Sequence, residues 1–259
     1  MKHGWHAAWL LVASGMALAQ GACTKVVVTA DPEYPPYAWY DGQILRGASV
    51  DVVLAVLQAI KLPHELRYVG PFVRVLQNAR LGEVDIVTEL KRNAEREEYL
   101  AYADTPIFSN PSSVFVRAGQ NLKFTKREDL RGLHGGVTHG TRFGDGLDEY
   151  IEAHLTVETG PGIKENFLKL DAGRIDYFIS PHYPALSHLI TSGNEGRFIA
   201  LKPHVAQALN YVGWSRRSAC LARLPEFDAM LKRYLTTLNT GRLVDENQDA
   251  WRRNPVMKR

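Results

Sequence analysis

The chain has 259 residues, of which 45% are hydrophobic and 23% charged, with a formal net charge of +3. That is enough apolar material for a core of ordinary size, in one large domain or two small ones, and it excludes an intrinsically disordered chain. A charge this small, with Lys and Arg scattered rather than striped, does not imply nucleic acid, and none is expected as a partner.

The N-terminal residues read as an export leader. Lys2 supplies a positive start, residues 7–18 are apolar or small, and Ala17-Leu18-Ala19 sets small residues before a cut at Gln20. The apolar run suits a signal peptide and is too short to span a bilayer. Residues 1–19 are therefore expected to be removed and the mature chain to be periplasmic. A rival reading makes Cys23 a lipidated N-terminus, although Gln20-Gly21-Ala22 lacks the usual Leu three residues before it. No later stretch is long and apolar enough for a membrane helix. The two cysteines, Cys23 and Cys220, either close a disulfide in an oxidising compartment or stand as unrelated thiols. Their spacing and the dispersed histidines give no metal motif.

Residues 25–30 are β-branched (Val26, Val27, Val28, Thr29) and predict a buried strand. The following Asp31-Pro32-Glu33-Tyr34-Pro35-Pro36-Tyr37 carries too many prolines for a helix or inner strand, so a rigid, aromatic-rich loop is expected. After Gly47, the spacing of Val50, Val53, Leu54 and Leu57 predicts a helix over 49–60. A strand over 66–69, a helix over 73–80 and a strand over 84–88 follow. Strand–helix alternation of this kind argues for an α/β layer with a mostly parallel sheet. The same grammar returns as strand 135–138, helix 146–154, strand 157–159, helix 163–170 and strand 175–180.

A short repeat links the two halves. Leu81-Gly82-Glu83-Val84-Asp85-Ile86-Val87 is echoed by Ala172-Gly173-Arg174-Ile175-Asp176-Tyr177-Phe178. Both set a helix-ending Gly before an apolar-Asp-apolar strand entry, which favours two similar lobes. Near the C-terminus, Phe227, Met230, Leu231, Tyr234, Leu235 and Leu238 form an apolar helical stripe, ended by Gly241 and expected to pack on the first lobe.

Several motifs together resemble the type II periplasmic solute-binding proteins for amino acids, family 3, over residues 25–251. They are the segment from Thr29 to Tyr37; Gly47 with Val50-Asp51-Val52; Phe72, Leu76, Gly82 and Asp85; Glu95-Arg96; Tyr102-Ala103-Asp104-Thr105-Pro106-Ile107; Asp129-Leu130-Arg131-Gly132; and the stretch from Gly136 to Thr141. The resemblance implies two α/β lobes joined by a two-segment hinge. Lobe one would comprise residues 20–115 and 204–259, lobe two residues 116–203, with crossovers near 115–117 and 203–209. It implies a monomer that needs no cofactor, closes on a small carboxylate-bearing ligand and presents it to an ABC permease or a membrane sensor.

The resemblance also assigns pocket residues. Tyr34 matches the aromatic laid against the ligand, with Phe72, Tyr37 and Trp39 as further aromatic candidates that could instead be core. Arg96 matches the arginine whose planar fork holds the ligand carboxylate. Gly140-Thr141-Arg142 matches a turn at a helix start in lobe two, where backbone N–H groups attract anions. Two departures stand out. The stretch Thr88-Glu89-Leu90-Lys91-Arg92-Asn93 is heavily charged where the family is small and polar, so Glu89 or Lys91 could meet the ligand. The family's lobe-two Asp, which takes the ligand amine, is absent from Ser180-Pro181-His182-Tyr183, leaving His182 as a candidate. A few enzymes share this fold, and Glu89 with His182 could be read as the acid and its partner in a prephenate or arogenate dehydratase. Binding is the expected role, because no nucleophile elbow, phosphate loop or zinc motif is present.

Overall fold

The computed structural model describes residues 22–254; the expected leader, residues 1–19, lies outside them. Twelve strands among the described residues make two sheets. Strand β1 (Val26–Thr29) is the first; β2 (Glu33–Tyr34), β3 (Ala38–Tyr40) and β4 (Leu45–Arg46) follow it as a small antiparallel sheet. The segment expected to be an aromatic loop thus turns back on itself and pairs Tyr34 with Ala38, which satisfies backbone groups that a buried loop would leave open.

Helix α1 (Ala48–Ala59) buries Val50, Val53 and Leu57, as its spacing predicts. Strand β5 (His64–Leu66) pairs parallel with β1 and lies earlier than the expected 66–69. Helix α2 (Phe72–Leu81), strand β6 (Ile86–Leu90) and the single-turn helix α3 (Ala94–Glu97) complete this part. Strand β7 (Leu100–Arg117) then runs for 18 residues. Beyond it come β8 (His134–Thr138), α4 (Leu147–His154), β9 (Thr156–Gly160), α5 (Ile163–Asp171) and β10 (Tyr177–Pro181). Next are α6 (His182–Thr191), β11 (Phe198–Ala200), β12 (Ala206–Ser215), α7 (Leu224–Thr237) and α8 (Thr240–Arg252).

The main sheet runs β5-β1-β6-β12-β7-β10-β8-β9, with β11 also on β7. Two parallel three-strand groups, β5-β1-β6 and β10-β8-β9, are therefore joined through the antiparallel pair β12–β7. Strand β7 pairs with β12 from Leu100 to Ser112 and with β10 from Ser112 to Phe115, so it passes from one lobe to the other. Its Pro106 is tolerated because the β7–β12 register shifts there, opposite Tyr211.

The repeat has a structural cause. Gly82 caps α2 at φ 81°, and Gly173 follows α5 at φ 69°, both in the left-handed region that favours glycine. Asp85 accepts from the N–H of Val27 at the start of β1 (2.7 Å), and Asp176 accepts from the N–H of His134 at the start of β8 (2.8 Å). The same carboxylate thus fastens the first strand of each lobe.

The first lobe's core joins Val26, Val28, Val53 and Leu57 to Trp214, Phe227 and Leu231, so helix α7 does pack on the N-terminal strands. Gly241 does not end that helix. It ends at Thr237, and Gly241 lies in the first turn of α8, whose N-terminus is capped by the Asn239 side chain. Cys23 and Cys220 form a disulfide, which ties the start of the chain to this core and leaves no Cys23 thiol for a lipid. Among the described residues no helix is long and apolar enough to cross a membrane.

Candidate functional site

Six elements converge on a cleft of about 160 Å³ lined by Asp31, Tyr34, Phe72, Glu89, Leu90, Lys91, Arg96 and Asn210, the last from β12. Asp31 and Tyr34 come from the end of β1 and the small sheet. Phe72 opens α2, and Glu89 to Lys91 end β6. Arg96 stands in α3, held by the Asn93 cap, whose side chain accepts from the Arg96 N–H at 2.8 Å.

The Arg96 side chain is held by two contacts. One guanidinium N–H donates to the Lys91 carbonyl (3.1 Å), and the group lies 5.5 Å from the centre of the Phe72 ring. Its sequence neighbours are engaged elsewhere: Glu95 pairs with Arg80 at 3.4 Å and Asp104 with Arg92 at 3.3 Å. Among the described residues no carboxylate forms an ion pair with Arg96.

Two acids line the same cleft. Glu89 is 3% exposed and accepts from the Asn210 amide at 3.0 Å. Burial, then the charge of Asp31, pushes its pKa well up; Arg96 opposes this. Burial also raises Asp31 to about 6, against the lowering effect of the Glu33 N–H. Tyr34 receives a hydrogen bond from Asn110 (2.7 Å), which fixes its hydroxyl.

Of the residues expected here, Tyr34, Phe72, Glu89, Lys91 and Arg96 come together on the cleft wall. The others do not. Tyr37 and Trp39 are each 1% exposed; Tyr37 is in the lobe-one core and donates to the Ser109 carbonyl (2.5 Å), and the rigid β2–β3 turn brings neither to the wall. Thr141 and Arg142 stand on the loop after β8. Helix α4 starts at Leu147, close to the expected 146, so the Gly140-Thr141-Arg142 turn does not open it; Gly140, Gly144, Asp145 and Gly146 all take left-handed backbone conformations in the loop before it. The loop's Phe143 and Gly144 N–H groups are taken by the Asp148 carboxylate rather than left for an anion. Arg142 instead offers its carbonyl to the Lys91 ammonium (3.1 Å), a contact between the lobes.

His182 also turns away from the cleft. Its Nδ1 lies 2.9 Å from Ser113 Oγ, which in turn is 2.8 Å from Nδ1 of His204. The ring packs on Phe115, Tyr183 and His204, and burial, with the nearby His204 and Lys202, pulls its pKa down to about 3. The pairing of Glu89 with His182 as acid and partner is therefore not assembled. Asn210 was missed in sequence. It is a lone Asn in a strand, and only the β6–β12 pairing brings it to Glu89.

Two α/β lobes sharing a pair of antiparallel crossover strands, with a charged cleft beside them, define the type II periplasmic binding-protein fold. The chain belongs to the bacterial extracellular solute-binding proteins, family 3, whose model matches residues 26–253. The family is one of binding proteins rather than enzymes. Substrate-binding domain 2 of GlnP from Lactococcus lactis, in an open conformation, is 18% identical with a TM-score of 0.65, over 88% of this chain and 95% of that one. An amino acid ABC transporter substrate-binding protein from Streptococcus pneumoniae, bound to L-arginine, is 16% identical with a TM-score of 0.60, over 88% and 96%. A histidine kinase sensor domain is 19% identical with a TM-score of 0.60, over 88% and 95%.

Proposed function

We propose that this protein captures a small carboxylate-bearing solute, an amino acid or a relative of one, between its two lobes. Arg96 holds the carboxylate through its planar fork, and Tyr34 and Phe72 flank the guest. The observation that carries this reading is an arginine on the cleft wall that, among the described residues, forms no ion pair with any carboxylate. The lobes are assigned to residues 20–115 with 204–259 and to 116–203. In support, β7 exchanges β12 for β10 at Ser112, beside the second crossover at Ala206. Closure is then driven by contacts that need both lobes, as in the Lys91–Arg142 hydrogen bond.

The protein is taken to be exported by residues 1–19, to work as a periplasmic monomer and to hand its ligand to an ABC permease. Similarity to an arginine-bound transporter component supports that role. Similarity to a histidine kinase sensor domain supports a second one, reporting the ligand to a membrane sensor. Neighbouring permease and ATPase genes distinguish import from sensing. The test of the site is Arg96→Ala. Calorimetric titration with the common L-amino acids is expected to show at least ~100-fold weaker binding, while the melting temperature stays within about 2 °C. Unchanged affinity removes Arg96 from the site.

A further inference from the structure

Helix α6 is an element of lobe two that reaches lobe one. Tyr183 sets its ring edge-on against Tyr37, with centroids 5.2 Å apart, and packs on the lobe-one core. One turn on, Ser187 Oγ donates to the Pro35 carbonyl at 3.5 Å. No side chain caps the helix N-terminus; its first residue, His182, is bonded instead to Ser113 on the crossover strand β7. What holds His182 therefore helps to set where α6 meets lobe one.

That hold is a chain of four polar side chains. The Lys202 ammonium lies 2.9 Å from His204 Nε2, and His204 Nδ1 lies 2.8 Å from Ser113 Oγ. His182 Nδ1 lies 2.9 Å from the same Oγ. Only one placement of protons satisfies all three contacts with neutral rings. An ammonium has donors only, so His204 accepts at Nε2 and carries its proton on Nδ1. That N–H donates to Ser113 Oγ, whose single hydroxyl proton goes to His182 Nδ1. His182 then keeps its own proton on Nε2. An added proton breaks the chain. On His204 it sets an Nε2–H against the ammonium. On His182 it sets a second donor against Ser113, which is fully buried, and leaves the hydroxyl proton without its acceptor.

The surroundings keep the rings neutral. His182 faces His204 and Lys202 from the segment before β12, Phe115 from β7 and Tyr183 from its own helix. Around His204 stand Lys126, Arg127, Glu128 and Asp145, and Asp145 is paired with Arg127 at 2.9 Å. Among the described residues no carboxylate is hydrogen-bonded to either ring. Burial, then the charges of His204 and Lys202, brings His182 from 6.5 down to about 3. A released His182 therefore binds protons more tightly than one in the chain. The intact chain is favoured above about 6.5 and loses ground as pH falls from there to about 3.

We propose that Lys202, His204, Ser113 and His182 form a proton-sensitive lock at the crossover strands, which holds helix α6 against lobe one and releases it in acid. Acid then loosens the grip of one lobe on the other, whatever solute lies between them, and the proposal is independent of the role given to Arg96.

The test is hydrogen exchange, read by mass spectrometry on the full chain without added solute, because exchange registers rare local openings. Protection factors, corrected for the intrinsic pH dependence of exchange, are compared at pH 7.5 and pH 5 for α6 and for α5, a helix of the same lobe. Wild-type α6 is expected to lose ~10- to 30-fold in protection at pH 5, while α5 changes by less than ~3-fold. The Tyr34–Ala38 segment of lobe one is expected to follow α6, and unchanged protection there overturns its release from lobe one. His182→Gln can still bond Ser113 but cannot titrate, and is expected to remove the pH dependence. His188, on the same helix, also has its pKa lowered by burial, so a loss that persists in His182→Gln overturns the proposal. So does wild-type α6 protection that falls no further than that of α5. If His182→Gln does not fold, nitrogen-15 NMR of the wild-type rings at pH 7.5 decides. A proton on Nδ1 of His204 and on Nε2 of His182 is expected, and a proton on His182 Nδ1 overturns the chain.

Discussion

Individual residues in this cleft are placed against their own stability. Asp31 has its pKa raised to about 6, chiefly by burial. An acid whose folded pKa exceeds its unfolded value makes the folded state bind protons more tightly. Folding is then favoured below the unfolded pKa, and that advantage is lost as pH rises through the folded one. At pH 7, above about 6, ionised Asp31 therefore penalises the ligand-free fold. Asp31→Asn is expected to raise the melting temperature of the ligand-free protein at pH 7 by a few degrees, a shift that differential scanning calorimetry checks. Glu89 lines the same cleft, and burial, then the charge of Asp31, raises its pKa too.

At the scale of elements, the chain builds one unit twice and ties each copy with the same residue type. Asp85 and Asp176 each bond the opening N–H of the first strand of their lobe, just after a left-handed Gly. Asp85 also accepts from Ser218 Oγ at 2.5 Å, whereas no such hydroxyl is bonded to the Asp176 carboxylate. Hydrogen bonds to charged acceptors contribute about 1.5–3 kcal/mol each. Chemical denaturation of Asp85→Ala is therefore expected to show a loss of ~2–4 kcal/mol, larger than that of Asp176→Ala. This motif was legible in the sequence because it is local: helix end, turn and strand entry fall within seven residues. Strand β7 was not. Its prolines argue against a strand, and only the register shift in its pairing with β12 accommodates Pro106.

Across the whole molecule, the first lobe is built from both ends of the chain, and the disulfide closes that arrangement. Cys23 and Cys220 are 197 residues apart. In the chain-entropy view a bond spanning so long a loop limits the unfolded state by about 5 kcal/mol, an upper figure since measured gains are often smaller. A thiol assay on the exported protein is expected to find near zero free thiols per chain, and replacing both cysteines with Ser to lower the melting temperature by several degrees. A count of two would show that the pair does not close. Because the crossover strands β7 and β12 also carry Asn110 and Asn210, the cleft residues Tyr34 and Glu89 are each tied to those strands by a single hydrogen bond.

Periodicity and short motifs determined the α/β alternation and the two-lobe repeat, which rest on residues close in the chain, where spacing dictates the shared face. The order of those motifs carried the family resemblance, and the resemblance in turn pointed to Tyr34 and Arg96, which the structure brings to one cleft. Tertiary structure alone decided which charged residues line the cleft. Lys91 reaches to the Arg142 carbonyl, His182 binds Ser113 instead of the cleft, and Asn210 arrives beside Glu89 across 121 residues. A side chain's charge says what it can bind, but strand pairing and lobe closure set which partner lies within reach, and those are long-range properties of the fold.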